Sequence, residues 1–168
     1  MDNRLLVGIT HGDVNGIGYE LIIKMMAENK MCEVCTPVLF GSSKVAAYHR
    51  KVLNIENFNL NSIQKAQEAN AKRCNIVNCV DDAIKVDLGQ ETAESDEAAM
   101  TALKVALDAL DREDIQVLVG APQGCRSFQP AESCPAFLAA RYDARNVMPL
   151  LVGEKMKMGF VTHHLPFR

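Results

Sequence analysis

The stretch Leu5-Leu6-Val7-Gly8-Ile9-Thr10-His11-Gly12-Asp13-Val14-Asn15-Gly16-Ile17-Gly18-Tyr19-Glu20 decides the fold class. Its first six residues form an apolar run without polar alternation, the pattern of a buried strand. Gly12 to Gly18 form a glycine-rich turn, and Tyr19 to Glu28 places Leu21, Ile22, Met25 and Met26 at helical spacing. The turn is neither the G-x-G-x-x-G of dinucleotide folds nor a Walker loop, which would continue into Gly-Lys-Ser/Thr. Glycines here permit a tight turn and close backbone approach, and a helix N-terminus favours an anion. Spacing alone fits a tight strand-to-helix connection best. Asp13 and Glu20 read either as a substrate contact and a helix-start charge or as caps.

The pattern repeats along the chain. Thr36 to Gly41 predicts a second strand, and Ser42 or Ser43 can cap a helix running to about Val52. Asn54 to Asn75 is polar and Asn-rich, with a short helix expected around Gln64 to Ala71. Ile76 to Val80 predicts a third strand. Glu94 to Asp111 is the clearest helix, with Ala98, Ala102, Val105, Ala106, Ala109 and Leu110 on one face and acids in its first turn, where the helix dipole favours them. Ile115 to Gly120 predicts a buried strand, and Met148 to Gly153 and Lys157 to Thr162 predict two more. Alternating apolar strands and helices indicate an α/β layered domain with a mostly parallel sheet. Residues 122 to 135 break the pattern: Pro122, Pro130 and Pro135 oppose regular structure just after a strand, where open α/β sheets place ligand-binding loops.

Composition narrows the function classes. The 168 residues carry a formal charge of −3, no Trp and only 5% aromatics, so there is no global basic field to attract nucleic acid and stacking platforms for it are scarce. No apolar run is long enough to span a bilayer. Six cysteines without a secretory signal indicate a reducing, cytoplasmic location. Cys32 and Cys35 have C-x-x-C spacing, but no second pair completes a zinc site, and small buried or half-exposed thiols explain them best. Thr162-His163-His164-Leu165-Pro166 follows a strand and can present one imidazole to a metal, since neighbouring strand residues point to opposite faces. His11 adjoins the glycine turn, and His49 falls in a predicted surface helix.

Three segments, taken in order, resemble a known family: Ile9 to Glu20, Val119-Gly120-Ala121-Pro122, and Val161 to Pro166. Together they are similar to the N-terminal half of 4-hydroxythreonine-4-phosphate dehydrogenase, the PdxA family of pyridoxal phosphate biosynthesis. The resemblance runs from about Leu5 to Arg168 with a poor match over 123–136. It implies an isopropylmalate-dehydrogenase-like fold, incomplete here relative to the two-domain family, and a homodimer. It implies NAD- or NADP-dependent oxidation of a phosphorylated 3-hydroxy amino acid, 4-phosphohydroxythreonine, followed by decarboxylation. A divalent metal (Zn, Mg or Co) would hold the substrate as a Lewis acid.

Of the family's three metal histidines, the resemblance carries over one, His164; the other two fall beyond Arg168. Asp13, read from the glycine turn itself, is the candidate substrate-binding residue within the chain. The His and Thr of the family's Gly-His-Thr-Glu substrate motif correspond to Cys134 and Pro135, which cannot replace them as polar groups. The family's Ile-Asn-Lys after Ala-Pro is Gln123-Gly124-Cys125 here. A degenerate loop or a locally shifted reading frame would account for this stretch. The resulting expectation is an enzyme impaired or inactive on its own. The alternatives are a non-catalytic α/β fragment or association module and, more remotely, a small phosphate-binding protein.

Overall fold

The computed structural model describes residues 4–28, 30–128, 133–145 and 147–160. The chain divides into two compact units, Met1–Ser127 and Phe128–Arg168.

The first unit is built on five strands: β1 (Leu6–Thr10), β2 (Thr36–Gly41), β3 (Asn61–Ile63), β4 (Asn75–Asn78) and β5 (Val117–Gly120). They lie in the order β3-β4-β2-β1-β5 and every pairing is parallel. Parallel neighbours need crossovers. These are supplied by α1 (Gly18–Ala27) with the single turn α2 (Met31–Val34), by α3 (Ser43–Val52), by a 3₁₀ turn over Ala66–Glu68, and by α4 (Ala93–Asp111). Strand parity sorts the core. Ile9, Leu39 and Ile76 face one side with Ile22, Ile23 and Met26 of α1 and Val45 and Ala46 of α3. Val38, Phe40 and Val77 face the other with Ala102, Ala106 and Ala109 of α4. The strand β2 is buried on both faces, which is why its sequence does not alternate. Each fully buried Ile or Met contributes about 1.5–3 kcal/mol.

The alanine stripe on α4 lets that helix lie against β1, β2 and β5. Thr92 caps it by accepting from the Ser95 N–H at 3.1 Å, with Glu94 and Asp96 in its first turn. Ser42 caps α3 through the Val45 N–H. Gly8 is required because a Cβ there would lie 2.4 Å from Ile115 Cδ1, which fills the space under β1.

Several expectations are corrected. Leu21 and Met25 face solvent, and α1 buries Tyr19, Ile22, Ile23 and Met26 instead. The polar stretch after α3 contains β3 and only a three-residue 3₁₀ turn where a helix over 64–71 is expected. Asn75 accounts for this: fully buried, its amide donates toward the carbonyls of Pro37, Asn70 and Arg73 and accepts from Asn61 Nδ2 and Asn70 N, folding the segment back on itself. The strand β5 is not buried: it is the sheet edge, with Val117 and Val119 exposed.

In the second unit, α5 (Cys134–Arg141) is capped by Ser133, which accepts from the Ala136 N–H, and Phe128 and Phe137 pack with ring centroids 6.1 Å apart. Pro135 therefore starts a helix rather than opposing one, because the first turn needs no intrahelical N–H donor. The strands β6 (Leu150–Val152) and β7 (Lys157–Gly159) do not extend the parallel sheet. They form an antiparallel hairpin with Leu151 opposite Met158, and every residue in both is exposed.

Candidate functional site

In an open parallel sheet, the crevice at a topological switch point is where ligands bind. Here the chain leaves β1 toward β2 on one side and returns with β5 on the other, so the switch lies between β1 and β5. The connections leaving these two strands meet there. The Asp13 N–H donates to the Pro122 carbonyl at 3.0 Å and the Ala121 N–H to Thr10 O at 3.1 Å. Gly12 takes a φ of +69°, and a Cβ on it would fall 2.1 Å from Pro122 O. A Cβ on Gly18 would fall 2.0 Å from His11 O. These glycines allow the backbone to close on itself, and the chain's own carbonyls fill the space beside them.

Asp13 is half-buried in this turn, and its Oδ1 accepts the Asn15 N–H at 2.9 Å. Asn15 is nearly fully buried. Its Nδ2 donates to Gln90 O at 2.9 Å and Thr92 Oγ1 at 3.2 Å, its Oδ1 accepts from the Asp87 N–H, and its own carbonyl accepts from the Gly89 N–H. One side chain thus fastens the glycine turn to the segment leading into α4. The loop after β5 closes on the same helix end: Ser127 Oγ donates to Asp96 Oδ1 at 2.6 Å, and Arg126 lies 3.8 Å from Asp96 and 3.5 Å from Glu91. The Nε2 of Gln123 in this loop is buried without a partner among the described residues.

Behind the turn three rings stack. His11 lies 5.2 Å from Tyr19 and Tyr19 lies 5.1 Å from His49, both pairs close to parallel. His49, expected on a surface helix, is buried, and its Nε2 is 2.8 Å from Val14 O. His11 is fully buried, and among the described residues neither ring nitrogen reaches a hydrogen-bond partner. Burial drives its pKa from 6.5 down to about 4, only partly opposed by the nearby backbone of Gly12 and Ala98. Burial also lowers His49, against the proton-favouring Val14 carbonyl and the Glu20 and Asp13 carboxylates. The Tyr19 hydroxyl accepts from the Ser42 N–H at 3.0 Å, and burial raises its pKa. Ser42 Oγ donates to Asp82, whose pKa is lowered first by that bond and then by Lys44.

The residues singled out from sequence fall in different places. Asp13 is at the switch point of the first unit; Cys134 and Pro135 open α5 in the second. Burial raises the Cys134 thiol pKa. His163 and His164 lie outside the described residues. Among the described residues no three His, Cys, Asp or Glu side chains converge as metal ligands, and no helix is long and apolar enough to cross a membrane. Sequence reading missed Asn15 and the His11–Tyr19–His49 stack; the only signal was a polar residue set between turn glycines.

Comparison with known proteins agrees with this architecture. The chain is 38% identical to the 4-hydroxythreonine-4-phosphate dehydrogenase of Bacteroides thetaiotaomicron, an alignment covering 99% of this chain and 47% of that protein. It is 24% identical to a Clostridium botulinum protein named "Putative D-threonate 4-phosphate dehydrogenase", covering 100% of this chain and 52% of that one. The chain spans about half the length of the curated relatives it matches. Crystal structures of 4-hydroxythreonine-4-phosphate dehydrogenases share the fold: that from Burkholderia phymatum at a TM-score of 0.82 and 22% identity, over 98% of this chain and 52% of that one, and that from Klebsiella pneumoniae at 0.83 and 20%, over 98% and 51%. The family model for pyridoxal phosphate biosynthetic protein PdxA matches residues 33–168, and the chain belongs to that family.

Proposed function

We propose that residues 1–168 form the N-terminal part of a PdxA-like dehydrogenase. The reaction is NAD- or NADP-dependent oxidation and decarboxylation of 4-phosphohydroxythreonine in pyridoxal phosphate biosynthesis, carried out in the cytoplasm by a homodimer. The observation that carries this reading is 38% identity, over nearly the whole chain, to a protein named for that activity. In this reading the 168 residues alone are impaired or inactive. Cys134 and Pro135 stand where the family places polar substrate contacts, and His164 is one metal ligand of a set completed elsewhere.

The described residues do not by themselves fit a divalent metal, since no ligand set converges and both described histidines are held in the ring stack. When bound, a nicotinamide cofactor would accept the hydride; the turn glycines, packed against the chain's own carbonyls, offer it no open cradle at Gly12 or Gly18. The chain's own contribution in this reading is positional. Asp13 and the Pro122 loop shape one wall of the substrate crevice, and Asn15 fixes that wall to the N-terminus of α4. Asp13 faces the substrate with whatever acceptor capacity its bond to Asn15 leaves.

A second reading is an association module without activity. It is favoured by the exposed apolar hairpin of β6 and β7.

The discriminating experiment measures NAD(P)H formation from 4-phosphohydroxythreonine with added divalent metal. The assay uses the chain alone and the chain mixed with the C-terminal half of the Bacteroides relative. The dehydrogenase reading expects activity alone to lie at least ~10³-fold below the intact relative, given the missing ligands and contacts. It also expects recovery on complementation, abolished by His164→Ala. A folded complex that stays inactive, or activity indifferent to His164→Ala, would leave the association reading in its place.

A further inference from the structure

The C-x-x-C spacing suggests that Cys32 would pair with Cys35, but the sulfur that meets Cys32 in the fold belongs to Cys74. The two Sγ atoms are 3.8 Å apart across 42 residues of sequence. Both side chains are buried, Cys32 on α2 and Cys74 one residue before β4. Cys35, just past α2, is buried as well, and all three are free thiols. A disulfide needs a sulfur separation near ~2.05 Å, so bond formation requires the pair to close by less than about 2 Å. Cys74 also lines a cavity of about 290 Å³ bordered by Met26, Asn57, Asn61, Lys72 and Arg73, which gives a small polar oxidant a route to the Cys74 side of the pair.

We propose that Cys32 and Cys74 are an oxidation site: a hydroperoxide converts them to a reversible disulfide that ties α2 to the start of β4. Burial first, and then the neighbouring Cys32 sulfur, push the Cys74 thiol up to about 12. One sulfur of the pair loses its proton and attacks one peroxide oxygen. The O–O bond breaks, and the departing hydroxide takes up a proton to leave as water, with a sulfenic acid left on that cysteine. The other sulfur then displaces that oxygen. The S–S bond forms, the S–O bond breaks, and the proton of the second thiol departs with the hydroxyl as a second water. Two thiols and one hydrogen peroxide thus give one disulfide and two waters, with two electrons passing from sulfur to the peroxide.

The test oxidises the reduced full chain with hydrogen peroxide, blocks the remaining thiols by alkylation and maps the peptides by mass spectrometry. The expected product is a peptide pair joined through Cys32 and Cys74, reversed by dithiothreitol, retained in Cys35→Ser and lost in Cys32→Ser and Cys74→Ser. The oxidised chain should also melt roughly 5 °C or more above the reduced one, because the link closes a long loop. A Cys32–Cys35 link would overturn the proposal. So would sulfinic acid without a cross-link, or full alkylation of both Cys32 and Cys74 after peroxide has consumed the other thiols. The mapping uses the unmodified chain, so a variant that failed to fold would not remove the test.

Discussion

The side-chain amide of Asn15 donates to the hydroxyl of Thr92, the N-cap of α4, at 3.2 Å, so the glycine turn after β1 and the start of the longest helix share a hydrogen bond. With its bonds to Gln90 and Asp87, the amide is fully engaged inside the protein. Removing it takes three hydrogen bonds from a part-buried seam, to Gln90, Thr92 and Asp87, each contributing about 0.5–1.5 kcal/mol. Asn15→Ala should therefore destabilise the chain by about 2–4 kcal/mol, read as a lower urea midpoint. Asn15→Asp should do no better, because it would point a carboxylate oxygen at the Gln90 carbonyl. Wild-type midpoints in both variants would show that the turn is held by other means.

His11 makes stability depend on pH. Its folded pKa, about 4, lies below the unfolded 6.5, so the folded state disfavours the proton. That preference stabilises the fold fully above about pH 6.5 and is lost as pH falls toward 4. The difference corresponds to about 3 kcal/mol at one pKa unit per ~1.4 kcal/mol. Urea denaturation at pH 7, 5 and 4 should follow this slope, and His11→Gln should flatten it. An acid limb of equal steepness in that variant would place the proton uptake on other groups, His49 foremost.

Two glycines separate steric demand from backbone demand. At Gly18 a Cβ would overlap the His11 carbonyl, which belongs to the strand-to-helix turn and has no side-chain freedom with which to retreat. Gly18→Ala should cost at least about 3 kcal/mol. At Gly89 φ is +76° but no atom lies within 4 Å of the added carbon, so Gly89→Ala should cost only the left-handed backbone term, about 1–2 kcal/mol. Thermal unfolding of the pair checks the ranking, and equal losses would contradict it.

Which parts of the sequence were readable follows from the same physics. The strands β1 and β2 were visible because both faces are covered, which turns them into continuous apolar runs. The edge strand β5 carries the same kind of run, Val117 to Gly120, although Val117 and Val119 are exposed; an apolar run records what a strand is made for, not whether this chain covers it. β3, Asn61-Ser62-Ile63, carries no apolar signal because its place is fixed by the Asn75 amide. At the switch point the glycines were legible and Asn15 was not, since its partners at 87 to 92 are remote in sequence. His49 was misplaced because the helical wheel could not reveal Tyr19 beneath it.

The hairpin of β6 and β7 is the largest departure from a self-contained fold. A lone two-stranded hairpin is marginal in water, and Leu150, Leu151, Val152, Met156 and Met158 are all exposed on it. Cross-strand alternation puts Leu151 and Met158 on one face and Leu150 and Val152 on the other, so neither face is polar. Exposed apolar surface of this kind marks an association site. The chain should therefore self-associate at micromolar concentration in light scattering and sedimentation. Placing a charge in the patch with Leu151→Glu should weaken that association at least tenfold, about 1.4 kcal/mol. The strand pairing through backbone hydrogen bonds remains possible in this variant, so a loss of association would be assigned to the apolar face rather than to unfolding. A chain that is monomeric at these concentrations, or one whose association ignores the Leu151 substitution, would remove the hairpin as the contact and leave the exposed edge of β5 as the surface to examine.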